Sequence, residues 1–84
     1  MITIYGAEWC KWCKAAKRVA EERGLPHVWK DVEDLTLYEE MKSKVPVDTS
    51  KIPQIFWDDR YIGGHDAFVS EIENTSGGYG DGKI

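Results

Sequence analysis

The tightest constraint on this chain is the junction at Cys10-Lys11-Trp12-Cys13, where a short strand signal gives way within a few residues to an amphipathic helix. Ile2, Thr3, Ile4 and Tyr5 are β-branched or aromatic and end at Gly6, the pattern of a short strand. From Cys10 to Arg23 the apolar positions Cys13, Ala15, Ala16, Val19 and Ala20 recur at spacings of three and four among lysines, arginines and glutamates, which predicts a helix with one core face. Gly24 and Pro26 then stop that helix. His27–Val32 predicts a second strand, and strand, helix and strand in succession predict a parallel, right-handed crossover. A chain that begins this way is expected to be α/β, with a pair of thiols at a helix N-terminus.

The rest of the sequence completes the pattern. Thr36 with Glu39 three residues on reads as a reciprocal capping box, opening a second helix that starts within 34–37 and carries Leu37, Tyr38, Met41 and Val45 up to the break at Pro46. Gln54–Trp57 and Arg60–Ile62 flank Asp58-Asp59, which predicts a β-hairpin with a short turn. Asp66 reads as the cap of a last short helix whose Phe68, Val69 and Ile72 face the sheet, ending near Asn74. Thr75–Ile84 holds four of the eight glycines and few core-type residues, so ordering it costs conformational entropy for little burial; it is expected to be a loose tail. The predicted order is βαβαββα, in one domain over residues 1–74 followed by the tail 75–84.

Size and charge exclude several functions. At roughly 150 residues per domain, 84 residues make one core and leave no room for a second. With 42% hydrophobic and 31% charged residues the chain is an ordinary globular one, not a disordered or collagen-like one. Eleven basic against fifteen acidic residues give a net charge of -4 with the basic ones scattered, which argues against nucleic-acid binding. The sequence shows neither an apolar span of membrane length nor the basic, apolar start of a signal peptide, so a cytoplasmic protein without a membrane partner is expected. Two cysteines are too few for a stapled secreted scaffold, and in a reducing compartment such a pair is more often catalytic or metal-binding. A structural zinc site needs four ligands; His27 and His65 lie on separate elements without finger-like spacing, and no metal or bound cofactor is expected.

The first thiol, Cys10, falls where unpaired backbone N–H groups and the positive end of the helix favour a thiolate, and Lys11 and Lys14 would add to this if they turn toward the sulfur. Cys13, one helical turn further in, is placed to attack a mixed disulfide on Cys10 and expel the reduced partner. Trp9 and Trp12 bracket Cys10 and would form an apolar shelf for a disulfide-bearing molecule. The plain alternative is a pair of small buried hydrophobes.

Three elements, in order, resemble the glutaredoxins over residues 1 to about 74, with compact bacterial and bacteriophage members nearest in size. Cys10-Lys11-Trp12-Cys13 stands in the place of the family's Cys-Pro-Tyr-Cys. Lys51-Ile52-Pro53 before Gln54-Ile55-Phe56 resembles the family's Thr-Val-Pro ahead of its third strand. Gly63-Gly64-His65-Asp66 resembles the Gly-Gly and acidic turn that opens the last helix. The resemblance implies a thioredoxin-like fold, a four-stranded mixed sheet in strand order 2-1-3-4 flanked by helices, in a monomer with a cis Ile52–Pro53 bond. It implies thiol-disulfide exchange with glutathione as reducing co-substrate, acting on protein disulfides or glutathione mixed disulfides. Ribonucleotide reductase is a partner by family analogy.

The same resemblance assigns Cys10 and Cys13 to catalysis, and Lys11, Trp12, Lys51, Ile52, Pro53, Gly64, His65 and Asp66 to substrate binding. The Ile52 backbone would pair with the cysteine of glutathione or of a protein substrate, and the start of the last helix with Asp66 would receive the γ-glutamyl end of glutathione. The departures lie in the same region. Many members carry a basic residue three positions before the nucleophile, where this chain has Ala7; Lys51 replaces the family threonine and, with Lys11 and Lys14, would supply the missing charge. Two other readings are a glutaredoxin-like thioredoxin recharged by thioredoxin reductase, which Ala7 favours, and a carrier of an iron–sulfur cluster ligated by Cys10 and glutathione, which the bulky Lys11-Trp12 disfavours.

Overall fold

The computed structural model describes residues 1–47 and 51–77 of the chain. Its elements follow the predicted order: β1 (Ile2–Gly6), α1 (Lys11–Glu22), β2 (His27–Asp31), α2 (Leu35–Lys44), β3 (Gln54–Trp57), β4 (Arg60–Gly63) and α3 (His65–Gly77). The strands form one sheet in the order β2-β1-β3-β4. β1 pairs parallel with β2 and antiparallel with β3, and β3 pairs antiparallel with β4, so the sheet is mixed and thioredoxin-like.

Alternation along the strands divides the core into two layers. Ile2 and Ile4 of β1 and Ile55 of β3 pack against Ala16 and Ala20 of α1 and Phe68 and Ile72 of α3. Tyr5 and Phe56, which point the other way, pack against Met41 of α2 and Val45 just beyond it. Small alanines on α1 let that helix lie close to the sheet, while the bulk comes from α3. Trp29 and Trp57 sit partly buried against the first layer, in keeping with a packing role for strand aromatics.

Local chemistry sets the element ends. Gly24 adopts φ 67, and the Leu25 N–H donates to Ala20 O at 2.9 Å while the Gly24 N–H donates to Glu21 O at 3.1 Å, closing α1 in a left-handed cap that favours glycine. The hairpin turn puts Asp58 at φ 55, a conformation that Asp tolerates better than most residues. β2 ends one residue before the predicted Val32, whose N–H still donates to Gly6 O at 2.9 Å.

Three expectations are corrected. α2 is capped by Asp34, whose Oδ1 accepts from the Thr36 N–H at 2.9 Å; Thr36 lies inside the helix, and Asp34, two residues upstream, reaches the free N–H first. α3 starts at His65 with the Phe68 N–H donating to Gly64 O at 3.0 Å, so Asp66 lies in the first turn instead of capping it. α3 also continues past Asn74 to Gly77, the first glycine after its start; the remainder of the predicted tail, 78–84, lies outside the described residues. Among the described residues no helix is long and apolar enough to cross a membrane.

Candidate active site

Cys10 is the N-cap of α1, with extended backbone at φ -91 and ψ 113. Its carbonyl accepts the first helical bond, from the Lys14 N–H at 3.1 Å, and its sulfur accepts the Cys13 N–H at 3.3 Å. The helix start thus turns one of its otherwise free N–H groups onto the Cys10 sulfur. Cys10 is partly exposed, whereas Cys13 is fully buried, and both thiols are free. Burial first, and then its hydrogen bond with Cys10, push the Cys13 thiol up to about 12, against a smaller downward pull from the Ala7 backbone. The pair is therefore unequal: one sulfur faces outward beneath a helix N–H group, and the other keeps its proton inside.

Gly6, at the end of β1, makes room for this pair. A Cβ on Gly6 would stand 2.7 Å from Cys13 Cβ, 2.9 Å from Cys13 Sγ and 3.0 Å from a ring carbon of Trp29. No side chain fits there, so the strand backbone itself forms the wall behind the buried thiol. Sequence reading takes Gly6 only as the end of a strand. Ala7 is also fully buried, so this position presents no charge at the surface.

A groove of about 490 Å³ gathers most of the predicted binding residues. Trp12 comes from α1, Lys51, Ile52 and Pro53 from the segment before β3, and Gly64, His65 and Asp66 from the start of α3. The Ile52–Pro53 bond is cis, and Ile52 O lies 4.0 Å from Cys10 Sγ, which ties the nucleophile to the groove. The Trp12 and His65 rings lie 5.0 Å apart, joining the start of α1 to the start of α3. His65 Nδ1 is 3.1 Å from the fully exposed Asp66 carboxylate. Of the two glycines, Gly63 is the one that needs its identity, at φ 122; a Cβ on Gly64 would meet Pro53 O at an ordinary 3.7 Å.

Lys11 does not join this groove. It lines a second one with Trp9 and Lys14, because successive helix positions point about 100° apart and Trp12 takes the direction toward α3. Gln54, by contrast, lines the first groove unpredicted. Among the described residues it is the buried polar side chain, donating to Lys51 O at 2.9 Å and accepting from the Tyr61 hydroxyl at 2.7 Å. It thereby fastens the Lys51–Pro53 segment to the hairpin. Among the described residues no cluster of three or more His, Cys, Asp or Glu side chains is placed to hold a metal.

A mixed sheet in this order, with one partly exposed and one buried thiol at the start of its first helix, defines a thiol-disulfide oxidoreductase of the thioredoxin-like class. The sequence profile of the glutaredoxins matches residues 2–62, and the chain belongs to the glutaredoxin family. Among solved structures, glutaredoxin 1 of Francisella tularensis, in complex with cacodylate, is 28% identical, with a TM-score of 0.72 over 89% of this chain and 94% of that one. Oxidised Escherichia coli glutaredoxin is 26% identical, with a TM-score of 0.72 over 86% of this chain and 92% of that one. A buckwheat glutaredoxin–glutathione complex shares the fold at 13% identity, with a TM-score of 0.73 over 88% of this chain and 69% of that one. No curated protein matches the sequence significantly.

Proposed function

We propose that the protein is a glutathione-dependent oxidoreductase that reduces protein disulfides and glutathione mixed disulfides through Cys10 and Cys13. The observation that carries this reading is the groove reaching from Trp12 and the Ile52 carbonyl, beside Cys10, to the start of α3. Its shape suits a short extended peptide with a sulfur at one end. Binding of glutathione by the buckwheat relative is in keeping with it.

In the proposed cycle, the Cys10 thiolate attacks one sulfur of the substrate disulfide; a Cys10 mixed disulfide forms and the other sulfur leaves as a thiolate. Cys13 then gives up its proton and attacks Cys10 Sγ, which releases the second substrate thiolate and leaves a Cys10–Cys13 disulfide. One glutathione thiolate opens that disulfide to a mixed disulfide, and a second removes the first as oxidised glutathione. Two electrons pass from two glutathiones to one substrate disulfide. When the substrate is a glutathione mixed disulfide, the second glutathione replaces Cys13 in the resolving step.

Ile52 would align the cysteine of the bound peptide by its backbone. The start of α3, with Asp66, would receive the γ-glutamyl end, Asp66 pairing with the ammonium group. With Ala7 buried, Lys51 is the lysine lining the groove and is assigned to the glycyl carboxylate. His65 and Trp12 would close over the bound chain by stacking. The protein would act as a monomer in a reducing cytoplasm, with ribonucleotide reductase the substrate that family likeness offers.

The test is to incubate the oxidised protein with glutathione and, separately, with NADPH and thioredoxin reductase. Regeneration of free thiols by glutathione alone is the expected result. Regeneration only by the reductase would replace this reading with that of a glutaredoxin-like thioredoxin.

A further inference from the structure

A second groove, of about 440 Å³, opens beside Cys10 and is lined by Glu8, Trp9, Lys11, Lys14, Ala15 and Arg18. Lys11, Lys14, Ala15 and Arg18 stand three and four residues apart on α1 and so share one stripe of the helix. Three cations face one carboxylate here, in a chain whose net charge is -4. Neither Lys14 nor Arg18 is in an ion pair among the described residues. The site end of the groove is aromatic: Trp9 is 70% exposed, with its indole N–H fixed on Glu33 Oε2 at 2.9 Å.

We propose that this groove docks the acidic polypeptide segment that flanks the disulfide of a protein substrate. The inference deepens the proposed function, on which it rests, by naming the substrate class. From Lys11 to Arg18 the helix rises about 10 Å, which an extended chain of about three residues spans. Cationic side chains along that path complement aspartates and glutamates next to the substrate cysteine, and Trp9 covers its apolar neighbours. The acidic remainder of the surface repels the same segment, so the charge pattern orients the partner as well as attracting it. The two grooves share no lining residue and meet beside Cys10, where the Lys11 ammonium of this one sits 5.5 Å from the centre of the Trp12 ring of the first, so a polypeptide and glutathione would approach the sulfur from two sides.

The test is single-turnover reduction of disulfide peptides by the pre-reduced protein, with no glutathione present. One peptide carries Asp and Glu around its disulfide, and one carries Lys and Arg in the same places. At low salt the acidic peptide should be reduced about tenfold faster, with the gap closing as salt is added. Arg18→Glu should slow the acidic peptide about fivefold and leave turnover of a small glutathione mixed disulfide unchanged, and Arg18→Ala should fall between. Equal rates for the two peptides in the wild type, or a gap that survives Arg18→Glu at full size, would overturn the proposal. Because this assay contains no glutathione, its outcome is separate from the glutathione test above.

Discussion

The Cys13 backbone N–H donates to Cys10 Sγ across 3.3 Å while the Cys13 side chain is fully buried behind it. One helical turn thus gives two chemically identical residues opposite roles. The outer sulfur accepts one hydrogen bond from the helix start, and the inner one is held in its protonated form by burial and by its neighbour. The order of events in a dithiol cycle follows from this inequality, since only the outer sulfur can meet a substrate first.

Cys10→Ser is expected to abolish reduction of both protein disulfides and glutathione mixed disulfides. Cys13→Ser retains the first attack but loses intramolecular resolution. With a protein disulfide it should accumulate a covalent adduct at Cys10, seen by mass spectrometry under non-reducing conditions, while turnover of a small glutathione mixed disulfide continues.

Gly6→Ala places a methyl group inside the contact radii of Cys13 and Trp29. Overpacking of this kind costs about 1–3 kcal/mol, to be read as a lower urea midpoint. Gly64→Ala is a matched control. With ordinary space around its Cβ, it should be far milder in stability.

Gln54→Ala removes the partner of both the Lys51 carbonyl and the Tyr61 hydroxyl. Leaving such groups unpaired costs about 1–3 kcal/mol. The freed Lys51–Pro53 segment should raise KM for a glutathione mixed disulfide more than it lowers kcat, measured in steady-state assays.

Stability of the reduced protein should fall on the alkaline side. An unperturbed thiol titrates near 9.0 and an unperturbed tyrosine near 10.0. In the folded chain Cys13 is pushed up to about 12, and burial, followed by the hydrogen bond to Glu40, drives Tyr5 well above its usual range. The unfolded chain therefore loses these protons first, which favours unfolding as pH rises. Their contribution is fully present below about pH 9.0 and is lost toward and through the raised folded values, at about 1.4 kcal/mol per pH unit for each group. Urea unfolding across this range should show the decline, and oxidation to the Cys10–Cys13 disulfide should remove the Cys13 part of it.

Much of this architecture is legible in the sequence because its signals are local. The glycine stop at Gly24, the alanine face of α1 and the Asp58-Asp59 turn each act within a few residues, and each is found where its pattern predicts. Asp34 is missed because two capping candidates stand close together and only the backbone path decides which reaches the free N–H. Gln54 reads as a polar strand residue; its burial depends on Tyr61 crossing from the neighbouring strand, a contact that no local pattern encodes. Lys11 and Trp12 are adjacent in sequence yet line different grooves, Trp12 lying between α1 and α3 while the Lys11 ammonium covers its ring from the other side. The need for glycine at position 6 likewise becomes visible only once α1 has folded back over β1.

The most direct measurement is alkylation of the native, reduced protein with iodoacetamide at pH 7, followed by peptide mapping. The account predicts rapid modification at Cys10 alone, with Cys13 labelled only after denaturation. Labelling of Cys13 in the native protein, or protection of both sulfurs, would contradict it.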